Sequence, residues 1–249
     1  MTDLLSIGAS GIKAYSRALA TVSDNIANSQ TPGYSRRTVR LEEAPTPGDL
    51  ALFRSTARPG GVREVGVDRA TDQMLVEDSR VANSDAGRSS SRLRFVEAGE
   101  RALDDSDTGV GVAITGIFNK ADLLSADPGS KVLRSGFLNA VDEAASAFRR
   151  TAVSLESAAS GVASEAQGTV DKLNTSLTAL ERVNDGLRRS RDGSTNQATL
   201  LDERDRLIDE ISGSIAVSSS YGERGIVSLR AGGPTGDFLV DSGSVSTVS

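Results

Sequence analysis

The sequence predicts a mainly α-helical protein: an elongated long-helix bundle with a coiled-coil N-terminal helix, ending in a small antiparallel β region. Three observations carry this. Apolar residues repeat in steps of seven near the N-terminus. The stretch 130–190 has no proline and keeps a helical apolar period. After about residue 214, Val and Ile alternate with Ser around Gly-containing turns.

In the first helix, Leu5, Ile12, Leu19 and Ile26 stand seven apart, interleaved by Gly8, Tyr15 and Val22. Together they make an a/d heptad seam on a helix roughly 40 Å long. Polar Lys13, Arg17 and Asp24 lie off the seam. One apolar seam needs a partner. Two readings are open: an amphipathic helix packed on its own domain, or an assembly helix awaiting another helix. Its place ahead of a breaker-rich stretch favours the second.

Residues 31–70 read as an extended, turn-rich linker, punctuated by Pro32, Gly33, Pro45, Pro47, Pro59, Gly60 and Gly61. Val62, Val65 and Val67 suggest short strand segments. Helix returns from Thr71 to Leu103, and Asp104, Asp105, Asp107 and Gly109 mark a loop. A short helix is expected from Val112 to Ala126, ended by Asp127-Pro128-Gly129. In the proline-free stretch, Leu133, Phe137, Val141, Ala144, Phe148, Ala152 and Leu155 step by four, four and three. That is an eleven-residue period. Val170, Leu173, Leu177, Leu180 and Leu187 follow with alternating steps of three and four, a heptad spacing broken at Asn184, with Gly161 and Gly168 as candidate bends. Such a helix would run roughly 90 Å, too long for a compact globule of about 18 Å radius of gyration, so a rod is expected. Thr199-Leu200-Leu201-Asp202 resembles a capping box opening a helix to Ile211, with Asp202 to Arg206 as a solvated face. Three strands follow: around Ile215 and Val217, from Ile226 to Leu229 after a turn at Tyr221 to Gly225, and at Phe238 to Val240. The expected divisions are an assembly helix at 1–30, the linker at 31–70, a helical bundle at 71–213 and the start of a β domain at 214–249.

Composition removes whole classes of function. The 249 residues include no Cys, His or Trp. Triads with a histidine base, the usual zinc sites and disulfides therefore cannot be built. Lys and Arg total 28 against 34 Asp and Glu, a net charge of -6, which disfavours nucleic acid. No run approaches the ~20 apolar residues of a membrane span, and the N-terminus lacks a secretory pattern. Asn119-Lys120-Ala121-Asp122 matches a guanine-reading motif, but no phosphate loop accompanies it. Asp105 to Gly109 begins like a calcium loop and lacks its later ligands. No carboxylate pair is singled out for catalysis, so neither enzyme activity nor a cofactor is expected. Arg36, Arg37 and Arg40 form a basic cluster with two readings: solvated side chains, or contacts to an acidic neighbouring subunit.

Residues 25–36 read Asn-Ile-Ala-Asn-Ser-Gln-Thr-Pro-Gly-Tyr-Ser-Arg. Asn25 and Asn28 can satisfy the last helical carbonyls or a neighbouring backbone. Pro32 stops the helix, Gly33 allows a sharp turn, and Tyr34 can fold back on the helix end. The spacing of Asn25, Ala27, Asn28, Thr31, Pro32, Gly33, Tyr34 and Arg36 resembles the N-terminal signature of flagellar axial proteins: rod, hook and hook-associated proteins. Beyond it, the chain is similar to the hook-associated protein 1 family. Tyr34-Ser35-Arg36, the segment from Ile117 to Leu138, and Leu200-Leu201-Asp202-Glu203-Arg204-Asp205-Arg206-Leu207 carry that likeness.

The resemblance implies a structural subunit of the flagellum, outside the cell at the hook–filament junction. Its partners would be copies of itself, the hook protein, a filament-side junction protein and the flagellar type III export apparatus. Leu5, Ile12, Tyr15, Leu19, Val22 and Ile26 would pack between subunits. The alternative is another axial subunit of hook or rod, or else a helical scaffold or adhesin. Family members are longer, with a C-terminal helix that pairs with the first. No such helix follows here, so the chain is expected to be a fragment and residues 1–30 to fray or self-associate alone.

Overall fold

The computed structural model describes residues 2–45, 59–103, 106–241 and 243–248. Pro47, Asp104 and Asp105, read above as turn and loop residues, lie outside them. The elements in order are α1 (Thr2–Ala27), β1 (Arg37–Pro45), β2 (Pro59–Arg69), α2 (Gln73–Leu103), α3 (Val110–Ala126), α4 (Lys131–Arg189), α5 (Thr195–Ser212), β3 (Val217–Tyr221), β4 (Val227–Ala231), β5 (Phe238–Asp241) and β6 (Ser244–Val245). The fold is mainly helical with a small antiparallel β region at its end, as the sequence predicts. Contacts divide the chain into two units, residues 1–86 with 172–249 and residues 87–171. Among the described residues no helix is long and apolar enough to cross a membrane.

In the first unit, β1 and β2 form an antiparallel hairpin, with Arg37 opposite Arg69, Val39 opposite Val67 and Glu43 opposite Val62. This is the stretch read as a linker. The sequence hid its first strand because Arg, Glu and Thr interrupt the apolar alternation there. Helix α1 lies on this hairpin through Ile7, Ser10, Ala14, Thr21 and Asn25, a face of mostly small side chains. Close approach is built in. Gly61 has φ +105°, and a Cβ there would collide with Ser10 Oγ, which accepts the Val62 N–H at 3.1 Å.

The apolar core of this unit joins Leu173, Leu177, Leu180, Val183 and Leu187 of α4 to Leu207, Ile208 and Ile211 of α5. The sheet side adds Val227, Leu229, Leu239 and Val240. The strands run as an antiparallel meander, β3-β4-β5-β6. Each fully buried Leu contributes about 2 kcal/mol of transfer free energy. Asn184, which breaks the heptad pattern, is fully buried among them. Its amide donates to Val227 O at 2.9 Å and accepts from Val227 N at 3.0 Å, so it pairs with β4 as a peptide group would. Asn174 does the same to Val248, at 2.9 Å in both directions.

Two expectations at α5 are corrected. The helix opens at Thr195, not Thr199. Ser194 Oγ caps the Gln197 N–H at 3.1 Å, while Gln197 Oε1 accepts the Gly193 N–H at 2.7 Å. The stretch from Asp202 to Arg206 is not simply a solvated face, because Asp202 and Arg204 are buried.

The second unit takes the C-terminal part of α2, all of α3 and the N-terminal part of α4. Its buried apolar residues among those described are alanines: Ala102, Ala140, Ala144 and Ala147. Of the seam expected from Leu133 to Leu155, only Ala144 is buried, and Phe148 is 54% exposed. The helix turns a row of alanines inward, which lets backbones approach closely. Arg94 pairs with Glu165 at 2.8 Å, and Arg150 donates to Thr108 O at 2.9 Å. Helix α4 runs through Gly161 and Gly168 without a break. Asn119, Lys120 and Asp122 are exposed positions of α3.

Candidate assembly interface

The heptad seam of α1 faces outward. Leu5, Ile12, Tyr15, Leu19 and Ile26 are each about 70% exposed or more, and Val22 is half exposed. The opposite face carries the helix on the hairpin, so α1 has support inside the chain while its apolar stripe is left uncovered among the described residues. Val22 and Ile26 also line a groove between α1 and β1, with Ala18 and Val39.

At the end of α1 the signature residues form one hydrogen-bonded knot. Asn25 Oδ1 accepts from Arg37 N at 2.8 Å and from the Tyr34 hydroxyl at 2.9 Å, and Asn25 Nδ2 donates to Arg37 O at 2.8 Å. The side-chain amide thus occupies the place of a strand neighbour for Arg37. Asn28 donates both its backbone N–H and its Nδ2 to Asp24 O, each at 3.0 Å, closing the last turn of the helix. Thr31 donates its N–H to Asn28 O and its hydroxyl to Asn28 Oδ1, at 2.9 and 3.2 Å. Tyr34 N closes the turn on Thr31 O at 3.2 Å. Gly33 has φ +80°, and a Cβ there would come within 3.3 Å of Arg206 Cβ. Burial pushes the Tyr34 hydroxyl above its ordinary pKa, with Arg37 opposing. Ala27, Pro32 and Arg36 are exposed.

Arg37 connects this knot to α5. Its guanidinium lies 4.9 Å over the Tyr34 ring and donates to Asp202 at 2.6 Å. Asp202 also takes Arg69 at 2.8 Å and the Ser35 N–H at 3.3 Å. Arg69 reaches Asp205 at 2.8 Å. Next to it Arg80, nearly fully buried in α2, binds Asp209 at 2.7 Å, Glu77 at 2.8 Å and the Tyr221 hydroxyl at 2.6 Å. Burial raises the pKa of Asp205, but the charges of Arg204 and Arg69 outweigh it and hold the carboxyl below its ordinary range. Burial likewise works against charge on Arg80, yet the bond to Asp209 and its other partners leave it more firmly protonated than usual.

Sequence reading reaches Asn25, Asn28 and Tyr34 and names Arg37 within a basic cluster, but passes over Arg69, Arg80 and Asp205 as site residues. The signal for them was spacing: arginines at facing positions of two strands, and aspartates on one face of α5 inside the Leu200-to-Leu207 stretch. Of the basic cluster, Arg37 is committed inside the chain, while Arg40 pairs with Asp68 at 3.1 Å on the surface. Among the described residues no group of three or more Asp or Glu could hold a metal ion.

Residues 5–34, which hold most of α1 and of the turn that follows it, match the family described as flagella basal body rod protein. Residues 96–249, more than half of the chain, match the flagellar hook-associated protein FlgK helical domain. The chain belongs to the FlgK family of flagellar hook-associated proteins. Flagellar hook-associated protein 1 of Bacillus subtilis (strain 168) is 27% identical over 218 residues, covering 86% of this chain and 43% of the relative. The protein of the same name from Salmonella typhimurium is 24% identical over 231 residues, covering 92% and 41%. That of Escherichia coli (strain K12) is 22% identical over 231 residues, covering 92% and 42%. The chain thus spans less than half the length of these relatives. The match across the FlgK helical domain does not favour the alternative of a rod or hook subunit.

Proposed function

We propose that this chain is a structural subunit of the bacterial flagellum, acting outside the cell at the junction between hook and filament. Copies of it assemble side by side, meeting the hook protein on one side and a filament-side junction protein on the other, after export by the flagellar type III apparatus. The observation that carries this reading is the outward heptad seam of α1, held at its end by a turn tied into the body of the chain. Leu5, Ile12, Tyr15, Leu19, Val22 and Ile26 are the packing residues. Asn25, Ala27, Asn28, Thr31, Pro32, Gly33, Tyr34 and Arg36 form the turn that sets where the helix stops. A tube needs repeated helix contacts, and an apolar stripe left exposed among the described residues supplies one. The role is geometric; it includes no catalytic step and no cofactor.

Electron microscopy of cells lacking the gene, with released flagellin assayed in the medium, tests the reading. Bare hooks and flagellin in the medium are expected. Absence of hooks would move the subunit to the rod or hook, and normal flagella would end the proposal.

A further inference from the structure

The core of the first unit is built by α4, α5, β4 and β5, with Val217 and Tyr221 of β3 packed against it. Among the described residues none of α1, β1 or β2 belongs to that cluster or packs against it. The N-terminal arm, α1 with the β1–β2 hairpin, is joined by polar contacts instead. Arg37 and Arg69 meet Asp202, Arg69 meets Asp205, and the Ser35 N–H meets Asp202. The Val67 N–H donates to Gly193 O at 2.7 Å. Backbone meets backbone at Gly66 and Gly193, where a Cβ on Gly66 would come within 3.0 Å of the Gly193 Cα.

Such a joint opens differently from a core. Parting the ion pairs returns each charge to water, which offsets much of the lost attraction. Little apolar surface is uncovered, because Val67 is the single buried apolar residue of β1 and β2 among those described. Within the arm, by contrast, Asn25 binds Arg37 on both backbone sides and Ser10 binds Val62, so helix and hairpin stay together. The weak boundary therefore lies between the arm and the core, and not inside either.

We propose that α1 and the hairpin form an arm hinged on this ionic joint, disengaging and re-engaging as one piece while α4, α5 and the sheet remain folded. Asp202 is the pivot, because it holds both arginines and the Ser35 amide. What the motion is for rests on the reading of α1 as an assembly helix: a hinged arm presents its seam over a range of angles, as a contact between differently shaped neighbours requires. The motion itself does not depend on that reading, and its test uses the purified chain.

The chain has no cysteine, so spin labels can be placed cleanly by Ser16→Cys on α1, Asn196→Cys on α5 and Thr178→Cys on α4. In pulsed electron paramagnetic resonance, Asp202→Asn is expected to broaden or split the Ser16–Asn196 distance and leave Thr178–Asn196 narrow. Native-state hydrogen exchange of the unsubstituted chain supplies a second readout. The Val67 amide is expected to be at least about 100-fold less protected than the Val227 amide. An unchanged Ser16–Asn196 distance in Asp202→Asn would overturn the hinge. So would joint broadening of both distances, or equal protection of Val67 and Val227, since each makes the arm part of the core.

Discussion

Replacing Asn184 by Leu restores the heptad that the asparagine interrupts, and a count of apolar residues alone says that this should stabilise the protein. The structure gives the opposite sign. Asn184 is fully buried and bonds both the N–H and the C=O of Val227. Leu would strand both groups inside the core. Each stranded group costs about 1–3 kcal/mol, or about 4 kcal/mol for the two at mid-range. Burying a Leu side chain offsets about 2 kcal/mol of that. The net expectation is a loss of about 2 kcal/mol. With a urea dependence of about 2 kcal/mol per molar, the unfolding midpoint should fall by about 1 M. Urea titration followed by far-ultraviolet circular dichroism measures it. A midpoint equal to or above that of the unsubstituted chain would refute the view that this amide serves β4 as a backbone partner.

Glycine substitutions should divide by position: Gly193→Ala, at φ +70° with Gly66 Cα in the way, is expected to lose more than about 1 kcal/mol in the same titration. Gly161→Ala and Gly168→Ala in α4 meet open space and should gain up to about 1 kcal/mol each; equal effects at all three sites would contradict the placement. Acid should weaken the joint through Asp205. Its folded pKa is depressed, so its contribution is present above the ordinary value of about 3.9 and is lost as pH falls through the folded value. Stability measured from pH 6 downward should therefore fall less steeply in Asp205→Asn, and parallel curves would count against it. Changing Leu5, Ile12 and Leu19 together to Gln should leave the unfolding free energy of the isolated chain, from the same urea titration, within about 0.5 kcal/mol, since all three are exposed. The same change in the gene should abolish motility in a complementation assay; normal swimming would remove the seam from the assembly interface.

Long elements were legible because their signals accumulate. The period over 130–190 gave α4, and the switch to alternation gave β3 to β5, because many weak preferences agree over such lengths. Burial was less legible. Leu133 to Leu155 carry the period, yet of them only Ala144 is buried, beside Ala140 and Ala147 on the inside of the second unit. Periodicity reports which residues share a face, and close packing of backbones decides which face turns inward. The seam of α1 was read from sequence, and so was its need for a partner. Its second, small-residue face was not, since Ser10, Ala14 and Thr21 have no hydrophobic signature. The ionic joint was least visible. Arg37, Arg69 and Asp202 look like surface charges until a long-range fold brings them together, and no local preference encodes a contact spanning more than 130 residues.

Three asparagines, at 25, 174 and 184, fasten helices to backbone outside them by presenting a neutral amide to a peptide group. That device has a chemical lifetime. Spontaneous deamidation would turn each donor nitrogen into an oxygen and set it against the carbonyl it now serves, so a single hydrolytic event would unmake the fastening. The reaction begins with attack by the next residue's backbone nitrogen and is fastest before glycine. The residues that follow are Ile26, Thr175 and Asp185. Each asparagine is also held with its side chain turned to another segment of the chain. Placed so, the fastenings age slowly, and the durability of the fold is set by what stands next to each asparagine as well as by what it binds.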